Sequence, residues 1–512
     1  MEKTTAIRMV NIIKTFGEVV ANDKVNLDIH HGEILSLLGE NGSGKTTLMN
    51  MLGGIYFPDS GEIFINGKDV SIRSPKDAFD LHIGMIHQHF KLVDVLTAAE
   101  NIVLGLNEKM LIDLNGVRAA VKDICDRYGF VIDPDKMVYE MSVSEKQTLE
   151  IVKVLYRGAE ILILDEPTAV LTPQETNKLF MVMRNMKNDG KSIVIITHKL
   201  HEVMEISDRV AVLRKGKYIG DIATCDTNPQ QLTDMMVGRS VSLNIDRPET
   251  GELTERLVVK NLTVLDTDGV KKLDCINFTA FGGELLGIAG ISGSGQKELL
   301  EAIAGLQVAL PGSSIEYTPI NKNEKIQLCG KTTQDIKHMG VRLAFVPEDR
   351  LGMGLVGSMN ISDNMMLRSY TKGNSVFTDR KSPKELATEV VKELEVITPG
   401  LSTPVRRLSG GNVQKVLVGR EISAQPSLLM TAYAVRGLDI NTSYTIYHLL
   451  NEQKQRGAAV IYVGEDLDVL LELCDRILVL CAGKISGIVD GRHTTKEEVG
   501  LLMTHLGQEA NA

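Results

Sequence analysis

The chain has 512 residues, 43% of them hydrophobic and 24% charged, with a formal net charge of −10. That length exceeds one ordinary core and predicts roughly two to four domains, and the acidic balance argues against nucleic acid as the main partner. No apolar run reaches the roughly eighteen residues of a membrane span, the first residues lack the apolar stretch of a secretion signal, and six scattered cysteines without a CxxC pair read as reduced thiols.

Taken in chain order, the first element that carries chemistry is a buried strand, Ile34–Leu38. It feeds Gly39-Glu40-Asn41-Gly42-Ser43-Gly44-Lys45-Thr46, and a helix is expected from Thr46 onward. The spacing GxxxxGK[ST] is that of a phosphate-binding loop. Its glycines let backbone N–H groups turn onto phosphate oxygens, and the helix N-terminus adds partial positive charge. Lys45 would reach the β- and γ-phosphates and Thr46 would hold Mg²⁺. A second buried strand, Ile161–Leu164, ends in Asp165-Glu166. There Asp165 would bind the metal and Glu166 would polarise the attacking water. Without the loop, the same pair reads as a solvated acidic strand end. Thr172-Pro173-Gln174-Glu175 spells a helix start, with a Thr N-cap, Pro at the first position and a Glu closing a capping box. Leu179, Val182, Met183 and Met186 mark that helix's apolar face, and Ser192–Ile196 is a further buried strand. The alternation of strands and helices predicts an α/β fold.

A polar stretch at 241–255, with Pro and Gly and no periodicity, predicts a linker between a domain at 1–240 and another at 256–512. The second half repeats the first. Gly290-Ile291-Ser292-Gly293-Ser294-Gly295-Gln296-Lys297 matches the phosphate loop at an offset of 251 residues. "MSVSEKQTLEIVKVL", "ILILDEPTAVLT" and "IVIITHKLHEVMEISDRVAVL" each find a counterpart at a constant offset of 267. Two repeats of this size are two domains rather than a solenoid.

This set of motifs resembles the ATP-binding cassette proteins, twice over and across essentially the whole chain. The resemblance implies an α/β chain of two tandem P-loop NTPase domains, each a RecA-like core with a helical subdomain and an antiparallel β subdomain. It implies ATP and Mg²⁺ as ligands. Phe16 would stack on adenine, the 39–46 loop and Thr47 would hold the phosphates, and Gln88 would sense Mg²⁺ and face a membrane partner. Thr46, Gln88 and Asp165 would serve the metal. Lys45, Glu166 and His198 would serve catalysis, His198 at the γ-phosphate.

Such cassettes pair head to tail, so the first half's ATP would be completed by the second half's signature, Leu408-Ser409-Gly410-Gly411-Asn412, through Ser409, Gly410 and Gly411. The second half would also donate Gly437-Leu438-Asp439, its D-loop. A second site would be degenerate. Gln296 replaces the lysine, Ala432-Tyr433 the acidic pair, Glu348 the glutamine and Glu465 the histidine. Lys297 comes one residue late, about 100° round a helix. The signature for that site, Met141-Ser142-Val143-Ser144-Glu145, has lost both glycines, and its D-loop counterpart Val170-Leu171-Thr172 is also altered.

"DEPTAVLTPQE", "VPEDR" and "LSGGN" resemble the ATPase subunit of ribose/galactose-type importers. "GMIHQHFKLVDVLTAAENIVLG" and "VDGRHTTKEEVGLLM" look closer to the branch that serves nucleoside uptake, with Ser144 and Tyr433 as departures. The resemblance implies two membrane-spanning permease subunits docking near Gln88 and Glu348, an extracytoplasmic substrate-binding lipoprotein, and a peripheral place on the cytoplasmic face of the membrane. One alternative is a soluble tandem cassette acting on ribosomes or nucleic acid. Such proteins usually keep both sites and carry charged linkers or zinc cysteines. The other is a binding-only regulator, which the complete first site speaks against.

Overall fold

The computed structural model describes residues 4–88, 90–106, 113–169, 171–197, 199–238, 245–249, 251, 253–291, 293–320, 324–370 and 378–504. The chain divides into two compact units, Met1–Ser242 and Leu243–Ala512.

In the first unit, strand Thr5–Phe16 pairs antiparallel with Val19–His30 on one side and Ser60–Ile65 on the other, and Lys68–Val70 closes a four-stranded sheet. A second sheet has six strands in the order Lys217–Ala223, Arg209–Arg214, Ile34–Leu38, Ser192–Ile196, Ile161–Asp165, Ile83–Ile86. All of its pairings are parallel except at the Lys217–Ala223 edge. Parallel strands covered on both faces must be apolar throughout rather than alternating. Ile34–Leu38, Ile161–Asp165 and Ser192–Ile196 are buried at every position. Leu35, Leu37, Ile163, Val194 and Ile196 face the antiparallel sheet and the helix Lys45–Leu52. Ile34, Leu162, Leu164, Ile193 and Ile195 face the opposite core, which includes helices Leu114–Tyr128, Val143–Tyr156 and Pro173–Asn188. The last of these begins as its sequence predicts. Thr172 is the N-cap, Pro173 stands in the first turn, and the Thr172 and Glu175 side chains each satisfy the other's backbone N–H.

The second unit repeats the plan. Its four-stranded sheet holds Thr254–Leu265 between Lys271–Gly282 and Ser314–Tyr317, with Ile326–Gln327 outermost. Its six-stranded sheet runs Leu343–Val346, Leu428–Ala432, Ala459–Val463, Leu285–Gly290, Arg476–Cys481, Lys484–Asp490, the same order as in the first unit. Residues 245–248, inside the expected linker, are strapped to this unit. Ile245 lies in its core. Arg247 Nη1 donates to the carbonyls of Leu471 at 2.9 Å and Cys474 at 2.5 Å. Asn451 Nδ2 donates to the Asp246 carbonyl, and Lys454 Nζ to that of Pro248 at 2.7 Å.

Candidate active site

In the first unit, the loop between Ile34–Leu38 and Lys45–Leu52 is a conformation only glycine permits at its two ends. Gly39 has φ 156° and Gly44 φ 96°. A Cβ on Gly39 would stand 2.2 Å from the Leu213 carbonyl oxygen, and one on Gly44 2.2 Å from that of Ala21. Lys45, the first helical residue, is buried, and its Nζ donates to the carbonyls of Gly39 at 2.7 Å and Glu40 at 3.0 Å. Burial pushes its pKa down, against the opposing pull of Glu166, Asp165 and Glu40. Ser43 Oγ, also buried, has no hydrogen-bond partner among the described residues. A buried ammonium and an unpaired hydroxyl at the N-terminus of the helix Lys45–Leu52 suit an anion.

Asp165 closes its strand at 8% exposure. Burial first, then the neighbouring Glu166, pushes its carboxyl up to about 6, while a hydrogen bond from the Thr46 hydroxyl and the charge of Lys45 pull it down. Two adjacent carboxylates, one desolvated, beside a threonine hydroxyl form a hard oxygen donor set that fits Mg²⁺. Glu166 has a left-handed φ of 48°, and its N–H donates to the Ile196 carbonyl at 2.9 Å. Gln88, just past Ile83–Ile86, donates to Glu166 Oε2 at 3.2 Å. The fold thus brings Lys45, Thr46, Gln88, Asp165 and Glu166 together from three points of the chain. Phe16 ends the first strand, half-exposed and edge-to-face with Tyr56 at 5.2 Å. Its hairpin abuts the loop, where Asn22 Nδ2 donates to the Gly44 carbonyl at 3.2 Å.

His198 and Val170 lie outside the described residues. The neighbours of position 198 form a network that sequence reading missed. Buried Glu202 accepts from Thr168 Oγ1 at 2.6 Å and from Thr197 Oγ1 at 3.5 Å. Lys199 Nζ pairs with Glu202 at 3.1 Å and donates to the Thr168 carbonyl at 3.1 Å. The repeat register carried a signal for it, since the counterparts of Thr168, Lys199 and Glu202 are Val435, Asp466 and Val469.

The second unit keeps the shape and replaces the chemistry. Gln296 takes the place of Lys45 at 3% exposure and donates to the Ile291 carbonyl at 3.1 Å, while Lys297 points away and pairs with Glu301 at 3.8 Å. Tyr433, at the Glu166 position, has the same bend with φ 50°. Its phenol is pushed up to about 12 by burial, then by Glu465 and Glu348. Asp266, Thr267 and Asp268 occupy the turn that corresponds to the one beside Phe16.

The two signature segments differ in one local respect. Ser142 caps the helix Val143–Tyr156 and Glu145 completes a capping box, at 3.2 Å and 2.7 Å. That helix end is satisfied by its own side chains. Ser409 begins the helix Gly410–Ser423 with no side-chain cap bond, and its hydroxyl accepts instead from Asn412 Nδ2 at 2.8 Å. The N–H groups at that end are free of internal caps, an arrangement that receives anions.

A family model described as ABC transporter matches residues 22–169 and 273–431. The nucleoside import ATP-binding protein NupA of Lactococcus lactis subsp. cremoris is 41% identical over 508 residues, covering 98% of this chain and 99% of that protein. The guanosine import ATP-binding protein NupO of Bacillus subtilis is 44% identical over 503 residues, with 97% of each covered. The ribose import ATP-binding protein RbsA 1 of Streptomyces avermitilis is 38% identical, covering 98% of this chain and 94% of that protein. Among solved structures, an archaeal ribosome recycling factor crystallised with the ribosomal stalk protein aP1 matches with a TM-score of 0.60 at 17% identity, over 94% of this chain and 90% of that one. At that identity the likeness is one of fold. Duplicated sheet order, a family model matched in both halves and full-length relatives agree, and the chain belongs to the ABC transporter family as a tandem-cassette ATP hydrolase.

Proposed function

We propose that this chain is the ATPase subunit of a nucleoside importer, hydrolysing ATP at one composite site. One observation carries the reading. The unit with a complete phosphate loop and acidic pair has its own signature helix closed by a capping box, whereas the unit with a degenerate loop keeps an open signature helix. Each unit has kept what the other lacks, as head-to-tail pairing requires. The named relatives, in nucleoside, guanosine and ribose import, support transport as the role. Two membrane-spanning permease subunits would dock near Gln88 and Glu348 from the membrane's cytoplasmic face, and an extracytoplasmic binding protein would deliver the substrate.

ATP enters with its phosphates on the 39–44 backbone and its adenine on Phe16. Lys45 exchanges the Gly39 and Glu40 carbonyls for β- and γ-phosphate oxygens. Ser409 and the N–H groups of Gly410 and Gly411 then close on the γ-phosphate, and closure turns the permease outward. Glu166, steadied by Gln88, orients the attacking water, and His198 holds the γ-phosphate. Mg²⁺, held by Thr46 and Asp165 with Gln88 nearby, would neutralise charge developing on the phosphates. Hydrolysis reopens the pair.

The test is uptake of labelled nucleosides and simple sugars in cells carrying this chain or its Glu166→Gln variant. Nucleoside uptake lost only in the variant supports the reading. Loss of sugar uptake instead keeps the mechanism and rejects the substrate, and no change in either rejects import.

A further inference from the structure

The substituted positions of the second unit are not idle. Glu348, at the glutamine position, and Glu465, at the histidine position, both pair with Arg436, at 2.5 Å and 3.2 Å. The Arg436 guanidinium also lies 6.0 Å from the centre of the Tyr433 ring. The counterpart of Arg436 in the first unit is Ala169. The backbone carbonyl of Arg436 accepts a hydrogen bond from Arg350 Nη2, and Gly437-Leu438-Asp439 follow at once. Arg350 opens a single π-turn, Arg350–Gly354, a feature that recurs at functional sites. Its side chain lies against the signature, since a Cβ on Gly410 would stand 3.3 Å from Arg350 Nη1. Asp439 reaches the same place, with Oδ2 3.6 Å from where a Cβ on Gly411 would be, while its Oδ1 caps the next helix through Thr442 N at 2.9 Å. The first-unit counterpart of Arg350, two residues past the glutamine position, is Phe90.

The four charges balance. Two guanidiniums side by side repel, and burial together with Arg436 lowers the pKa of Arg350. Two carboxylates restore neutrality and hold Arg436 from two sides of its guanidinium, at Nη1 and Nε. The arginines occur only in the unit whose signature is open. They therefore go with the signature and D-loop, not with a phosphate loop.

We infer that Glu348, Glu465, Arg436 and Arg350 form a brace that holds Ser409-Gly410-Gly411 and Gly437-Leu438-Asp439 in the arrangement the first unit's ATP needs. On this account positions that have lost their chemistry in one site act as positioning residues for the other. The inference rests on the composite site proposed above.

The test is steady-state ATPase of the full chain. Arg436→Ala lowers kcat by about 3- to 10-fold and leaves KM for ATP within about twofold. Arg436→Lys recovers part of the loss. Glu348→Gln with Glu465→Gln gives a similar fall, and adding Arg436→Ala to that pair lowers kcat no further, as expected of groups acting as one unit. The pairs are half-exposed, so between 0.1 M and 1 M salt, where the Debye length shrinks from about 10 Å to about 3 Å, wild-type kcat falls more steeply than that of Arg436→Ala. Ser409→Ala is the control. Unchanged kcat in Arg436→Ala beside a loss in Ser409→Ala refutes the brace and leaves the composite site standing. Unchanged kcat in both refutes the composite site and the brace with it. Losses that add and track a lowered melting temperature refute the brace too, because they mark ordinary destabilisation.

Discussion

With its carboxyl pushed up to about 6, Asp165 is the residue that most directly ties charge to both stability and ligand. Its folded pKa lies above the unfolded value of about 3.9. The stability it contributes is therefore fully present below pH 4 and is lost as pH rises through 6. Asp165→Asn removes that loss. It should raise the melting temperature of the nucleotide-free chain by roughly 2–4 °C at pH 7.5, with the gain shrinking as pH falls from 6 to 4. Calorimetry across that range checks it, and a gain independent of pH would reject the assignment. Mg²⁺ affinity should fall below pH 6 in the wild type, because binding must displace the proton. The two loops make a second residue-scale contrast. Lys45→Ala should lower phosphate release by roughly 100-fold or more, and Gln296→Ala should leave it within about twofold, since Gln296 only closes its own loop.

At the scale of elements, the signature helices offer a designed exchange. Asn412 occupies the position in Gly410–Ser423 that Glu145 occupies in Val143–Tyr156, three residues past the N-cap. Asn412→Glu should build a capping box on Ser409. The second unit should then gain about 0.5–1 kcal/mol of stability, read by denaturant unfolding, while ATPase falls at least tenfold because a carboxylate now fills an anion's seat. Gain of stability without loss of activity would show that the open helix end does not meet phosphate. Much of this scale was legible. Ile34–Leu38 and Ser192–Ile196 read as buried strands because both faces are covered, and Thr172–Glu175 carried its own start signal. The Ser142–Glu145 box was equally local, yet as a damaged signature it hid as a cap. The Glu202 network and the Arg436 cluster were not legible. Their pairs join residues 34, 88 and 29 positions apart, and only tertiary structure gives a lone charged residue its partner. The polar composition of 245–248 likewise concealed a strap, because Arg247 and Lys454 bond to backbone carbonyls, which no side-chain pattern announces.

For the whole molecule, two units with their own cores should unfold in separable steps when nucleotide-free. Arg247→Ala should lower the second step alone, because every bond it breaks lies in the second unit. In the Glu166→Gln chain, ATP at about 100-fold over its dissociation constant should add about 2.7 kcal/mol to unfolding. Under the proposed pairing both steps should rise, whereas a shift confined to the first would reject a shared site. The capping box at Ser142 has a further consequence, for assembly. Two copies of the first half facing each other would offer each ATP a helix end already occupied by Glu145, and two copies of the second half would bring no catalytic carboxylate. Under the proposed pairing neither half would make a productive couple with its twin, and one polypeptide would supply each with its mate at high local concentration, so severed halves should regain turnover only when mixed, and in a one-to-one ratio.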